Sequence, residues 1–488
     1  MNKGDGNLKY YLENTLVTKV VIDSRLTHPI IKLRYPKRWV YILLQKYVND
    51  FFTSGSEPRF IALAGLRGVG KTTLLWQMAD YIYGKNNKQI YFFNVNILKN
   101  LGVDLHTALE EFQRHVLKKR FNQLNEPITL LFDEVHDDEN WSKTLKILYD
   151  EARTACILCT GSSALLLNQT ADLARRMHIE KIFPFKFSEY VAVKSYLETK
   201  GSMLTPVKGL SANMKEAIFY SETIQDAFSK INLLEKDVNN YYQRFNDYNT
   251  LDLKKLWQRY IAYQNIPNFL FYENNISIND SILDLFKRVI LEDIPKLNSS
   301  FTDSTKIERL ILRLAGSDEI NPEKLAGIIG VKQNEINELI DILAKAELLN
   351  VLLPYGGLDA KIVKNKKAFF MSPSLRSALL STLYGQDLPE QFKSKLMEDL
   401  IVMYLRRCLT DGIISFLTTG KETNPDFVIE TRHKPVLLEV GTNKTKTKQI
   451  KCSNIHCRYG LLVSQGIASQ ITQIGIGIHK IQAPLRRG

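Results

Sequence analysis

Two groups of residues in this 488-residue chain have the types and spacing to do chemistry. The first lies in RFIALAGLRGVGKTTLL, where Gly65, Gly70, Lys71 and Thr72 fit the spacing GxxxxGK[ST]. Glycines so placed let successive backbone N–H groups curl around phosphate oxygens. The lysine reaches the β- and γ-phosphates, and the hydroxyl after it ligates Mg²⁺. Gly65, Gly68, Gly70, Lys71, Thr72 and Thr73 are therefore the expected cradle for ATP, with Mg²⁺ as its ion. ITLLFDEVH supplies the acids such a site needs. Asp133 would hold the metal through water, and Glu134 would polarise an attacking water as a general base. A glutamate after the metal aspartate favours hydrolysis over binding alone. His136 reads as a turn or contact residue rather than a catalyst.

The second group lies in NPDFVIETRHKPVLLEVGTNK, residues 424–444. Asp426 opens one apolar run, a basic turn follows, and Glu439 closes a second, while Glu398 lies upstream on a helical pattern. Carboxylates clustered at one end of adjacent strands hold divalent ions. Such an ion stabilises a developing phosphorane charge and lowers the pKa of an attacking water. Asp426, Glu439 and Glu398 are thus candidates for a second divalent site. The stretch resembles the metal-binding core of a restriction-type nuclease, which usually has a lysine two residues after the second acid; here that place is Gly441. Lys444, Lys446, Lys448 and Lys451 follow in the next loop, and Lys444 is the first candidate for a displaced catalytic lysine. Three readings stay open: an active nuclease, a DNA-binding pseudonuclease and a structural domain.

The elements that must position these residues can be read from pattern. Phe60–Ala64 is a short buried strand, and LLWQMADYIYG continues as a helix to a glycine stop at Gly84. ITLLF, from Ile128 to Phe132, is a second strand with Asp133-Glu134 at its C-terminal end, where open α/β sheets bind ligands. CILCT, from Cys156 to Thr160, is a third, running into Gly161-Ser162-Ser163. Ser162 is the candidate for sensing the γ-phosphate. Arg175 and Arg176 fall on a helical pattern. Arg176 would act as an arginine finger on a neighbour's nucleotide in a homo-oligomer, or else form a surface salt bridge. Cys156 and Cys159 form a CxxC, but on a strand they face opposite sides, which argues against a metal or redox pair. Cys452, His456 and Cys457 lack a second ligand pair for zinc.

LAGLRGVGKTTLL, LLFDEVH, CTGSSALLL, LARR and IFPFKFSEY, in that order, resemble a large prokaryotic family of AAA/STAND-type P-loop ATPases. Its members often carry a winged helix and a C-terminal restriction-endonuclease-like, PD-(D/E)xK domain. The family shows Gly-Arg where this chain has Arg175-Arg176, so Arg176 matches the family arginine. It also shows Gly-Gly before a proline where this chain has Gln264-Asn265. The resemblance implies an α/β fold in five parts: an N-terminal segment 1–55, a P-loop ATPase domain 56–190, a helical lid with an insertion 191–303, a winged helix 304–371 and a restriction-endonuclease-like α/β domain 372–488. It implies an ATP hydrolase whose nucleotide state controls a nuclease-like DNA effector, in phage defence or mobile-element biology. An ATP-dependent signalling or oligomerisation switch, or a DNA-binding regulator with an inactive nuclease fold, are the alternatives.

Residues 304–353 support the fourth part from pattern. Lys306–Ala315, Pro322–Ile329 and Gln333–Ala346 read as three helices, with Asn321 as cap, Pro322 in first position and Gly330 as stop. LLNVLLPYGG and KKAFFMS would be wing strands. The start of the third helix offers Lys332, Gln333, Asn334 and Glu335, with a single cation among them, so a DNA footprint there is thin.

Composition sets the frame. At roughly 100–200 residues per domain the length suggests about three or four domains. The net charge of +13, from 65 basic and 52 acidic residues, favours a polyanionic partner such as DNA, or is a lysine-rich solvated surface. No apolar run reaches the roughly 18–20 residues of a membrane span, so no membrane partner is expected. The N-terminus lacks the apolar segment of a signal peptide, and five cysteines suit a reducing cytoplasm.

Overall fold

Apolar runs flanked by helices build the first compact unit, Met1–Phe183, and a second unit spans Pro184–Gly488. The structure, a computed structural model, describes residues 3–161, 171–201, 207, 209–248, 251–298, 301, 303–418, 424–431, 433–441, 455–464 and 477–479. Among the described residues no helix is long and apolar enough to cross a membrane.

In the first unit, β1 (Phe60–Ala64), β2 (Ile90–Asn94), β3 (Ile128–Asp133), β4 (Ala155–Gly161) and β5 (His178–Lys181) form one parallel sheet in the order β2-β3-β4-β1-β5. Every residue of β1, β3 and β4 is buried, which is why they read as unbroken apolar runs: a parallel sheet is covered on both faces. Register brings the functional ends together, with Asn94 beside Asp133 and Ala64 beside Gly161. Residues 1–55, expected as a separate segment, belong to this unit. They form α1 (Lys3–Glu13), α2 (Lys19–Leu26) and α3 (Trp39–Ser54). Leu8 and Leu12 of α1 enter the same core as Phe93, Phe112 and Phe132.

In the second unit, the helices Ser304–Gly316, Pro322–Ile329 and Gln333–Lys345 lie within a residue or two of their expected bounds. Their ends are local chemistry. Asn321 accepts a hydrogen bond from the Lys324 amide at 3.0 Å, Pro322 opens the helix, and Gly330 closes it in the left-handed region at φ 76°. The insertion contains one 25-residue helix, Ile224–Tyr248.

The sheet of this unit carries a surprise. β6 (Glu319–Ile320), β7 (Leu349–Pro354), β8 (Lys366–Phe370), β9 (Ile413–Phe416), β10 (Phe427–Glu430), β11 (Val436–Gly441), β12 (Tyr459–Ser464) and β13 (Gly477–His479) form one eight-stranded sheet, ordered β13-β12-β11-β10-β9-β7-β8-β6. The first half of β7 pairs antiparallel with β8, and Leu353 and Pro354 then pair parallel with Ser415 and Phe416 of β9. The expected boundary between 371 and 372 therefore falls inside a continuous sheet. Arg376, fully buried on the helix Pro373–Tyr384, ties the same junction. It pairs with Asp399 at 2.6 Å and Asp318 at 2.9 Å, and donates to the carbonyl of Ala315 at 2.9 Å.

Candidate nucleotide site and acidic site

β1 ends at Ala64 and the chain turns through a loop whose glycines are forced. A side chain at Gly65 would meet the Ile182 carbonyl oxygen at 2.3 Å, and Gly70 sits at φ 93°. The helix Lys71–Gly84, α4, starts there with no side chain capping its first N–H groups, so its positive end faces outward for an anion. Lys71 is 6% exposed, and its ammonium donates to the carbonyls of Gly65 (2.8 Å) and Leu66 (3.3 Å).

Thr72 donates its hydroxyl to Asp133, 2.9 Å from Oδ1 and 3.2 Å from Oδ2. Two motifs some sixty residues apart in sequence thus meet at the C-terminal edge of the sheet. Burial raises the Asp133 pKa against the pull of Thr160, Thr72 and Lys71. Burial raises that of Glu134 too, with Lys71 opposing and Asp133 adding to the rise. Asp133 is buried, whereas Glu134 is partly open to solvent at the edge of the site. The hydroxyl and carboxylate oxygens are the hard ligands Mg²⁺ takes, so the donor set fits the ion. Thr72 and Asp133 would hold it, Lys71 and the loop amides would hold the phosphates, and the bound ion would offset phosphate charge. Gly68, at φ 83°, and Thr73, in the first turn of α4, complete the expected cradle. Ser162 lies outside the described residues.

Two residues that sequence reasoning passed over belong to this site. Thr160, fully buried at the end of β4, donates to Asp133 Oδ1 at 2.6 Å and accepts from the Glu134 amide at 2.9 Å. A polar residue closing an otherwise apolar strand beside the acid strand was the available signal. Arg38, just before α3, donates to the carbonyls of Val69 (2.9 Å) and Phe183 (2.9 Å), bracing the phosphate loop from outside the motif. No sequence signal marked it. Arg176 donates from Nε to Asp150 Oδ1 at 2.8 Å and is 28% exposed, so in this chain it is engaged in an ion pair.

Residues 57–191 match a family model described as an AAA domain. This segment is an AAA-type P-loop ATPase domain. Residues 255–383 match a second model, a domain of unknown function, DUF8612. The chain is 27% identical over 430 residues to an uncharacterized protein of Methanocaldococcus jannaschii, covering 86% of this chain and 84% of that one. An uncharacterized protein of Haemophilus influenzae is 26% identical over 344 residues, covering 68% and 72%. Among solved structures, an Aeropyrum pernix Orc1 protein in complex with DNA aligns over 74% of this chain and 96% of its own, at 10% identity and a TM-score of 0.31. The Thermotoga maritima RuvB Holliday junction branch migration motor aligns over 64% and 89%, at 16% identity and a TM-score of 0.27.

Outside the AAA domain lie the acids of the second group. Glu439, on β11, is fully buried. Asp426 precedes β10 and accepts from the Val440 amide at 2.7 Å, next to Glu439 in the chain. Glu398 lies on the helix Glu390–Cys408; burial first, then the charges of Asp426 and Asp318, push its pKa up to about 8. Lys395 and Lys367 oppose that rise, so two cations from outside the motif stand near this acid. Among the described residues no three His, Cys, Asp or Glu side chains are placed together to hold a metal ion. Gly441 ends β11, and Lys444 lies outside the described residues.

Proposed function

We propose that the chain is a Mg²⁺-dependent ATPase whose nucleotide state controls a C-terminal nuclease-like module acting on DNA. The observation that carries the first half is the contact of the Thr72 hydroxyl with the Asp133 carboxylate, beside buried Lys71, at the C-terminal edge of a parallel sheet. In this reading Lys71 neutralises phosphate charge and Glu134 draws a proton from the attacking water. Arg176 serves a neighbouring copy's nucleotide once it leaves Asp150. ATP turnover and binding test the reading together. Glu134→Gln should still bind a fluorescent ATP analogue while turnover drops about a hundredfold or more. Lys71→Ala should lose binding; hydrolysis unaltered by that change would refute the site.

The second half rests on β9, β10 and β11 as an antiparallel run with β12 parallel to β11, beside a helix bearing Glu398. That strand order supports the reading of a restriction-endonuclease-like core. The three helices with β7 and β8 support a winged helix next to it. A second reading, a DNA-binding regulator or nucleotide-driven switch with an inactive nuclease fold, is favoured by Gly441 at the lysine position. Plasmid cleavage in Mg²⁺ or Mn²⁺, with and without ATP, separates the two. Cleavage lost in Glu439→Ala supports the nuclease. DNA binding without cleavage supports the regulator.

A further inference from the structure

His136, a turn residue by its place in the sequence, has its ring beside the candidate base. Its Nδ1 lies 3.3 Å from Glu134 Oε2, with the His136 side chain 2% exposed and that of Glu134 34% exposed. The turn that carries it is pinned along its length. The Glu134 amide donates to Thr160, and Asp137 accepts from Asn96 at 2.9 Å. Asp138 accepts from the amides of Leu105 and Asn140, each at 2.7 Å. Glu134 itself takes the left-handed region at φ 57°, uncommon for a residue with a β-carbon and held here by those bonds. A buried ring on a pinned turn is a fixed stop against which the glutamate's flexible side chain can be set. The other charged groups acting on Glu134 are Lys71, Asp133, Arg67 and Asp137.

We propose that His136 is a positioning residue for Glu134: its Nδ1 fixes the carboxylate's orientation for proton abstraction from the attacking water. The inference rests on the reading of Glu134 as general base and adds to it a residue that acts through Glu134. Rotational freedom of a catalytic carboxylate costs rate because the reactive orientation is then one among several.

The test is steady-state ATP hydrolysis by the full chain carrying His136→Ala, His136→Asn, His136→Gln and Glu134→Gln, singly and with His136→Ala combined with Glu134→Gln. His136→Ala should lower kcat about tenfold to a hundredfold, the range seen when a group orienting a reactive residue is removed. KM should stay within about twofold, because ground-state binding is untouched. Asparagine places its amide nitrogen near the position of Nδ1 and should recover most of the rate, whereas glutamine should not. In the Glu134→Gln background His136→Ala should cost almost nothing more, since the contact it serves is already altered. An unchanged kcat in His136→Ala, or its full loss repeated on top of Glu134→Gln, would overturn the proposal. If the alanine variant does not fold, the asparagine–glutamine contrast decides: equal rates sink it. Normal turnover by Glu134→Gln alone would remove the base reading, and this inference with it, while leaving the nucleotide site to be judged by Lys71→Ala.

Discussion

The Thr160 hydroxyl serves two acids at once, donating to Asp133 and accepting from the Glu134 backbone. Thr160→Val keeps the shape and removes both bonds, stranding buried groups. It should lower stability by about 1–3 kcal/mol in urea unfolding and slow ATP turnover, while Thr160→Ser should keep both near wild type. A valine variant as stable and active as the parent would show the bonds to be incidental. At the same scale, Arg176 pairs with Asp150 at a partly exposed site, where such pairs contribute about 0–1 kcal/mol. Releasing the arginine is therefore cheap. Arg176→Ala should leave the melting temperature within a degree or two of wild type, as expected for a weak surface pair. If the finger reading holds, it should reduce turnover in a manner that depends on protein concentration. Turnover unchanged at every concentration would assign Arg176 to the ion pair alone.

Elements bring out a different kind of stake. Arg376 is fully buried with Asp399; the guanidinium pairs with both Asp399 and Asp318, and Asp399 also accepts from the Phe370 amide. Burial raises the Asp399 pKa to about 6 even with Arg376 alongside. Arg376→Ala would leave the buried Asp399 without its cation, while Asp318 keeps Lys395, and should cost about 3–5 kcal/mol in unfolding free energy. A loss below about 1 kcal/mol would mean the helix Pro373–Tyr384 is not anchored by charge. The Glu398 helix predicts a pH dependence. Its carboxyl is raised to about 8 in the folded state from the ordinary 4.5, so the folded state binds the extra proton. Stability in EDTA should accordingly be greatest on the acid side and fall as pH rises from about 4.5 towards and through 8. Glu398→Gln should flatten that fall; an equal slope in the variant would place the titration elsewhere. Gln264 and Asn265 show how a departure from a family pattern is absorbed. Gln264 donates to the carbonyls of Phe269 and Tyr272 and accepts from Tyr190, and Asn265 donates to Phe185. Two buried side-chain amides bond the backbone where small residues were expected.

For the whole molecule, the excess of 13 positive charges bears on the proposed DNA partner. Binding through phosphates should weaken steeply with salt, so DNA affinity measured at about 50 and 200 mM salt should differ by a factor of ten or more. Affinity indifferent to salt, or absent at low salt, would favour a nucleotide switch with a protein partner. A wild-type chain that cleaves while Glu439→Ala binds with the same salt slope would separate the acids' chemistry from the cations' grip.

Much of this was legible before any fold was seen, for a physical reason. The phosphate loop, the cap at Asn321, the stop at Gly330 and the buried parallel strands arise from interactions among near neighbours or from one-dimensional burial patterns, so residue type and spacing alone determined them. Pairing and aim are not local. That β7 turns from β8 to β9 and fuses two expected domains into one sheet depends on which distant strand edge it meets. Arg38 reaches the phosphate loop and Thr160 lies between two acids because separated segments pack side by side, and His136 faces Glu134 because bonds from other segments hold the turn they share. Sequence determined which residues could act; only the tertiary structure decided which of them face one another.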